Sequence, residues 1–199
     1  MRPRDVQNRL EKFSGYAAGE IDQRIRPLRE VGILRSGPRG RHVPNAKLFE
    51  IVHMILAMVS RRPSEAGPVS IKAADLRLVP PPGVISWNGI DFDNNEYPLA
   101  VVLSSLLRSP NLMGYRRLEV AIDGSRAWLT IDHDEHGTLD LVFIEADMMS
   151  EAKRAAQDLK VYKNQGAAYC GHRFVVGVGV IRQFAFEIED VSNTESYAS

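Results

Sequence analysis

An intrachain disulfide is excluded at once, because the 199-residue chain has a single cysteine, Cys170. Such a chain suits a reducing compartment, and the expected location is the cytoplasm. Long apolar runs are missing too. The densest, "LFEIVHMILAMV" over 48–59, is interrupted by Glu50 and His53 and is shorter than the roughly 20 residues of a membrane span. The opening "MRPRDVQNRL" turns polar immediately and lacks the apolar centre of a secretion signal. No Gly-x-Gly-x-x-Gly or Gly-x-x-x-x-Gly-Lys-Ser/Thr signature is present, and no Gly-x-Ser-x-Gly elbow. The Gly-x-Gly of "VVGVGVI" falls within an apolar strand pattern. These absences point away from an enzyme, and no catalytic residue, metal or cofactor is assigned.

Net charge is absent only on average. The 25 Lys and Arg residues balance 25 Asp and Glu, yet Met1–Arg62 holds thirteen basic against six acidic residues, a net of +7. The remainder carries −7. A basic half beside an acidic one is the pattern of a chain whose first part meets a polyanion.

Hydrophobic spacing predicts an α+β fold. Val6, Leu10 and Phe13 form one helical stripe, with Asp5 near its start. After the break "SGYAAG" the stripe resumes at Ile21, Ile25, Leu28 and Val31, and Gly32 suits a left-handed stop. A third helix is expected over about 46–59, apolar on most sides and therefore central to a core or subunit contact. "RRPSEAGPVS" and "RLVPPPGV" read as Pro/Gly-rich breaks, with one helical turn or two expected in "SIKAADLRL" between Pro63 and Pro82. An amphipathic helix over 97–109 follows, with Pro98 near its start. "RRLEVAID", "RAWLTID" and "TLDLVFIE" then form an antiparallel meander, and "SEAKRAAQDLK" a helix capped by Ser150. "HRFVVGVGVIRQFAFEIED" reads as one long bent strand or two. The expected organisation is an N-terminal domain over 1–62, a linker over 63–83, an α+β dimerisation or sensing domain over 84–190, and a tail over 191–199.

Helix, break, helix, then Leu28, Gly32, Ile33, Leu34 and a basic loop: this order resembles helix-turn-helix and winged-helix DNA-binding regulators of bacterial or phage type. The likeness covers the first third of the chain. It implies a recognition helix followed by a wing, a double-stranded DNA partner and a homodimer on a two-fold site. The residues agree. With Ile21 at zero and a turn of about 100° per residue, Ile25 and Leu28 fall within about 40° of it. Gly19, Gln23, Arg26 and Glu30 face the other way, with Arg24 and Arg29 on the flanks. Gln23 and Arg26 are the expected base readers, since Gln and Arg make paired hydrogen bonds to adenine and guanine edges. Arg24 and Arg29 are expected to position the helix on phosphate. In "LRSGPRGRHVP", glycines and proline make a tight excursion while Arg35, Arg39 and Arg41, followed by His42, supply charge for the backbone or minor groove. Pro27 departs from the pattern, because it removes the helical bond to the Gln23 carbonyl at a cost of about 3 kcal/mol.

One other cluster carries chemistry. "IDHDEHGTLD" brings His133 and His136 together with Asp132, Asp134 and Glu135, and Cys170 and His172 are further metal-ligand types. The alternative functions are a metal-dependent hydrolase or nuclease using this loop, or an adaptor for an acidic protein. Turns collect His, Asp and Gly for local reasons, so the loop is as readily a hairpin tip. His53, on the apolar helix, reads as a core or interface histidine. The favoured expectation is a sequence-specific, dimeric transcriptional regulator.

Overall fold

The computed structural model describes residues 1–35, 44–84, 86–87, 90–92, 97–108, 114–155 and 173–177. Helix α1 (Pro3–Ser14) has Pro3 in its first turn, where the missing N–H removes no helical bond, and the Asp5 carboxylate accepts the Arg2 N–H at 3.0 Å. Val6 and Leu10 are buried and Phe13 half-buried. Helix α2 (Ala18–Glu30) buries Ile21, Ile25 and Leu28. Gly32 then takes φ 77°, and the N–H groups of Ile33 and Leu34 both donate to the Leu28 carbonyl, at 3.0 and 3.1 Å. That turn folds Leu34 back into the core and leaves Val31, expected on the stripe, 54% exposed. Helix α3 (Leu48–Ala57) is apolar nearly all round and packs against α1, α2 and α5 as well as the next helix.

Residues 63–83 are an integral part of the fold, which corrects their assignment as a linker. They hold one 3-10 turn (Pro63–Glu65), helix α4 (Ala66–Ala74) and strand β1 (Arg77–Leu78). Ala66, Val69, Ala73, Leu76 and Leu78 are buried. The punctuation residues serve the packing. Pro63 and Pro68 sit in first turns, where no helical N–H bond is lost. Gly67 allows close approach to α2, since a Cβ there would lie 2.9 Å from Pro27 Cβ.

Strands β2 (Ser86–Trp87) and β3 (Ile90–Asp91) pair separately. After α5 (Leu99–Arg108) comes the expected meander of β4 (Tyr115–Ala121), β5 (Arg126–His133) and β6 (Gly137–Ile144). A 3-10 turn over Ala146–Met148 leads into α6 (Met149–Ala155), so Ser150 lies inside the helix rather than capping it. Strand β7 (Arg173–Gly177) completes an antiparallel sheet in the order β1-β6-β5-β4-β7. Its register aligns Leu118 with Leu129 and Val176, and Leu129 with Leu141. The resulting face meets α1–α5 in one continuous core that runs from Val6 to Val176. A smaller cluster of Val79, Trp128, Val142, Ile144 and Met149 lies on the opposite sheet face. The architecture is therefore α+β, with the helical layer largely N-terminal and the sheet C-terminal. Among the described residues no helix is long and apolar enough to cross a membrane.

Candidate nucleic-acid interface

Burial of Ile21, Ile25 and Leu28 fixes the rotation of α2 about its axis and leaves Gly19, Gln23, Arg26 and Glu30 exposed. Gln23 and Arg26 therefore stand one turn apart on an open face. The helix runs through Pro27 to Glu30, and the Val31 N–H still donates to the Pro27 carbonyl at 3.1 Å. The Gln23 carbonyl, which receives no N–H from Pro27, belongs to an exposed residue that water can reach.

The flanks behave differently from the sequence expectation. Arg24 is 2% exposed and does not face outward. Its guanidinium donates to the Ser60 carbonyl at 2.6 Å, to Ser60 Oγ at 3.0 Å and to Glu20 Oε1 at 2.8 Å. It also lies 4.0 Å from the centre of the Tyr16 ring. Arg24 is a tie between α2 and the chain after α3, and its assignment to phosphate is withdrawn. Arg29 does reach the surface, but Nη1 is 3.1 Å from Asp22 Oδ1, and Arg26 Nη2 is 3.8 Å from the same carboxylate. Asp22 thus neutralises part of the face, a feature the helical wheel did not weigh.

Arg35 is half-exposed, yet committed. It donates from Nε to Glu50 Oε1 at 3.1 Å and from Nη2 to the Asn45 carbonyl at 2.9 Å. Glu50, 3% exposed, also accepts the backbone N–H groups of Arg35 and Lys47. Burial alone would push this carboxyl up; the hydrogen bonds from Arg35, Lys47 and the Arg35 backbone outweigh it and hold Glu50 below the ordinary value. The pair clamps both ends of the segment 36–43 onto α3. Arg39, Arg41 and His42 lie outside the described residues. The clamp borders a small hollow lined by Pro3, Arg29, Leu34, Arg35, Pro44 and Glu50. The start of α1, the end of α2 and Arg35 and Pro44 therefore converge.

The histidine loop is built as a hairpin tip. His133 Nδ1 accepts the Glu135 N–H at 3.2 Å, which makes Nε2 the donor to the Ser86 carbonyl at 3.1 Å. Asp132 is held by Arg116 Nε at 2.7 and 2.8 Å and by Thr138 Oγ1 at 3.0 Å. Both ring nitrogens of His133 and the Asp132 carboxylate already serve the fold, although the His136 ring lies 4.8 Å away. Among the described residues no three His, Cys, Asp or Glu side chains converge as a metal set, and Cys170 and His172 lie outside them. His53 is half-buried, with Nδ1 2.9 Å from Ser70 Oγ. The Ser70 hydroxyl donates to the His53 carbonyl, so Nδ1–H is the donor to Ser70, and burial lowers the pKa of the ring. No family model, curated protein or solved structure matches the chain.

Proposed function

We propose that this protein is a sequence-reading, double-stranded DNA-binding regulator that lays the outer face of α2 in the major groove. The observation that carries the proposal is the exposure of Gln23 and Arg26 one turn apart on the face of α2 turned away from the core. Arg26 hydrogen-bonds a guanine edge and Gln23 an adenine edge. Arg29 and the loop bearing Arg39, Arg41 and His42 follow the phosphates beside them. Arg35 acts from behind, holding the base of that loop through Glu50. A homodimer would present two copies of α2 to a two-fold site.

Selection from a random-sequence duplex pool with the full chain tests the proposal. Enrichment of a defined motif is the expected result. Arg26→Ala should then erase the preference at one base position, by about ten- to a hundred-fold, the worth of a paired base contact of 1–3 kcal/mol. Arg39→Ala/Arg41→Ala should instead weaken every duplex alike. Failure to retain any duplex at low ionic strength overturns the proposal.

A further inference from the structure

Exposed positive charge also lies beside the helix, on the segment that follows α3. On α2 and its neighbours, Arg26 and Arg29 share the single carboxylate of Asp22, Glu50 holds Arg35, and Arg24 is buried on Ser60. Arg61 and Arg62, which the sequence reading passed over, are both exposed. Neither takes part in an ion pair among the described residues.

Their place relative to α2 follows from two anchors. With Ile21 at zero, Pro27 lies at about 240° and Arg24 at about 300° around the helix. Arg24 is bonded to Ser60, the residue directly before Arg61, and Pro27 touches Gly67 just beyond the 3-10 turn. The segment from Ser60 to Gly67 therefore runs along that flank. Asp22 and Arg29 lie at about 100° and about 80°, on the opposite flank. There Arg29 borders the hollow shared with Pro3 and Arg35. Gln23, Arg26 and Glu30, between about 140° and 200°, occupy the strip between the two flanks.

A helix seated in a major groove has a phosphate ridge on each side. We infer that Arg61 and Arg62 form a second phosphate contact, gripping the ridge across the groove from Arg29, so that α2 is held from both flanks. The inference rests on the proposed DNA-binding role of α2. The buried Arg24–Ser60 bonds give this pair its precision, because they fix the backbone immediately before it to the reading helix. Its exposed guanidiniums carry no base information and act on all sequences equally.

The test compares the full chain with Arg61→Ala/Arg62→Ala on the selected duplex and on a random-sequence duplex, over a range of salt. Each phosphate contact contributes about 0.9 to the slope of log affinity against log salt. The double variant should therefore lose about two from that slope and weaken on both duplexes in equal proportion, by about ten-fold or more at low salt. Arg61→Lys/Arg62→Lys should restore the slope, which a purely structural loss would not allow. If the parent binds duplex with steep salt dependence and the double alanine variant keeps the same slope, this contact is overturned while the role of α2 stands. If the parent binds no duplex at all, the role of α2 fails and this contact with it.

Discussion

Arginine position in the chain says little about arginine role here; partners decide it. Arg24 and Arg26 are two residues apart, yet one is buried against Ser60, Glu20 and Tyr16 while the other is 63% exposed. Arg24→Ala should cost about 2–4 kcal/mol of stability, since it strands the buried Ser60 carbonyl and removes a packed stem. Urea unfolding followed by circular dichroism measures it, and a loss below 0.5 kcal/mol, the size of an ordinary surface substitution, would contradict the tie. Asp22 makes the opposite kind of prediction. Under the proposed DNA-binding role, its replacement by Asn releases Arg26 and Arg29, and affinity for random-sequence duplex at low salt should rise by about two- to five-fold, the scale of one charge at short range in water. Unchanged or weaker binding would show that the carboxylate does not restrain the face.

At the level of elements, two glycines set how closely the helical layer meets its neighbours. Gly67 brings α4 against Pro27 of α2, and Gly124, at φ 70°, seats the β4–β5 turn against α4. A Cβ on Gly124 would lie 2.8 Å from the Val69 carbonyl oxygen. Gly124→Ala combines that clash with a left-handed backbone and should destabilise by about 2–3 kcal/mol. Gly67→Ala should lose less, about 1 kcal/mol, because better helix propensity offsets part of the contact with the proline ring. Thermal melts of the two variants should rank in that order; the reverse ranking would place the tighter constraint on α2 instead. These contacts explain why a Pro/Gly-rich stretch that looked like a spacer is a packed helix: its breakers stand where helices begin or where backbones touch.

For the whole molecule, acid lability follows from groups that share a sign. Burial depresses the pKa of His53 from its ordinary 6.5, so the unfolded chain takes up a proton there before the folded one does. Stability is full above about pH 6.5 and falls as pH drops from there toward the lower folded value. Glu50 and Asp123 also titrate below their ordinary values of 4.5 and 3.8: for each, burial opposes the shift, and hydrogen bonds from Arg35 and Lys47, or from Ser125, outweigh it. Their contributions are present above those values and are lost as pH falls through the folded ones. Unfolding free energy should therefore decline in two stages on acidification, and His53→Gln should flatten the first; a variant with the parent's decline between pH 6.5 and 5 would refute it. The continuous core carries a second consequence. A fragment ending at residue 62 would expose the α2 and α3 surfaces that α4 and α5 cover, and it should lack a cooperative melt.

Local periodicity alone determined where most helices and strands lie. Val6 and Leu10, the Ile21–Leu28 stripe and the three meander strands needed only spacing and turn residues, because backbone geometry acts within a few positions. The open face of α2 followed from the same wheel, and so Gln23 and Arg26 were legible. Tertiary contact decided the rest. Ser60 lies 36 residues from the arginine it captures and Glu50 lies 15 from Arg35, separations that no helical repeat encodes. Whether an arginine stays open on the surface or holds the fold depends on whether a distant acceptor desolvates it, and only the folded chain brings that acceptor near.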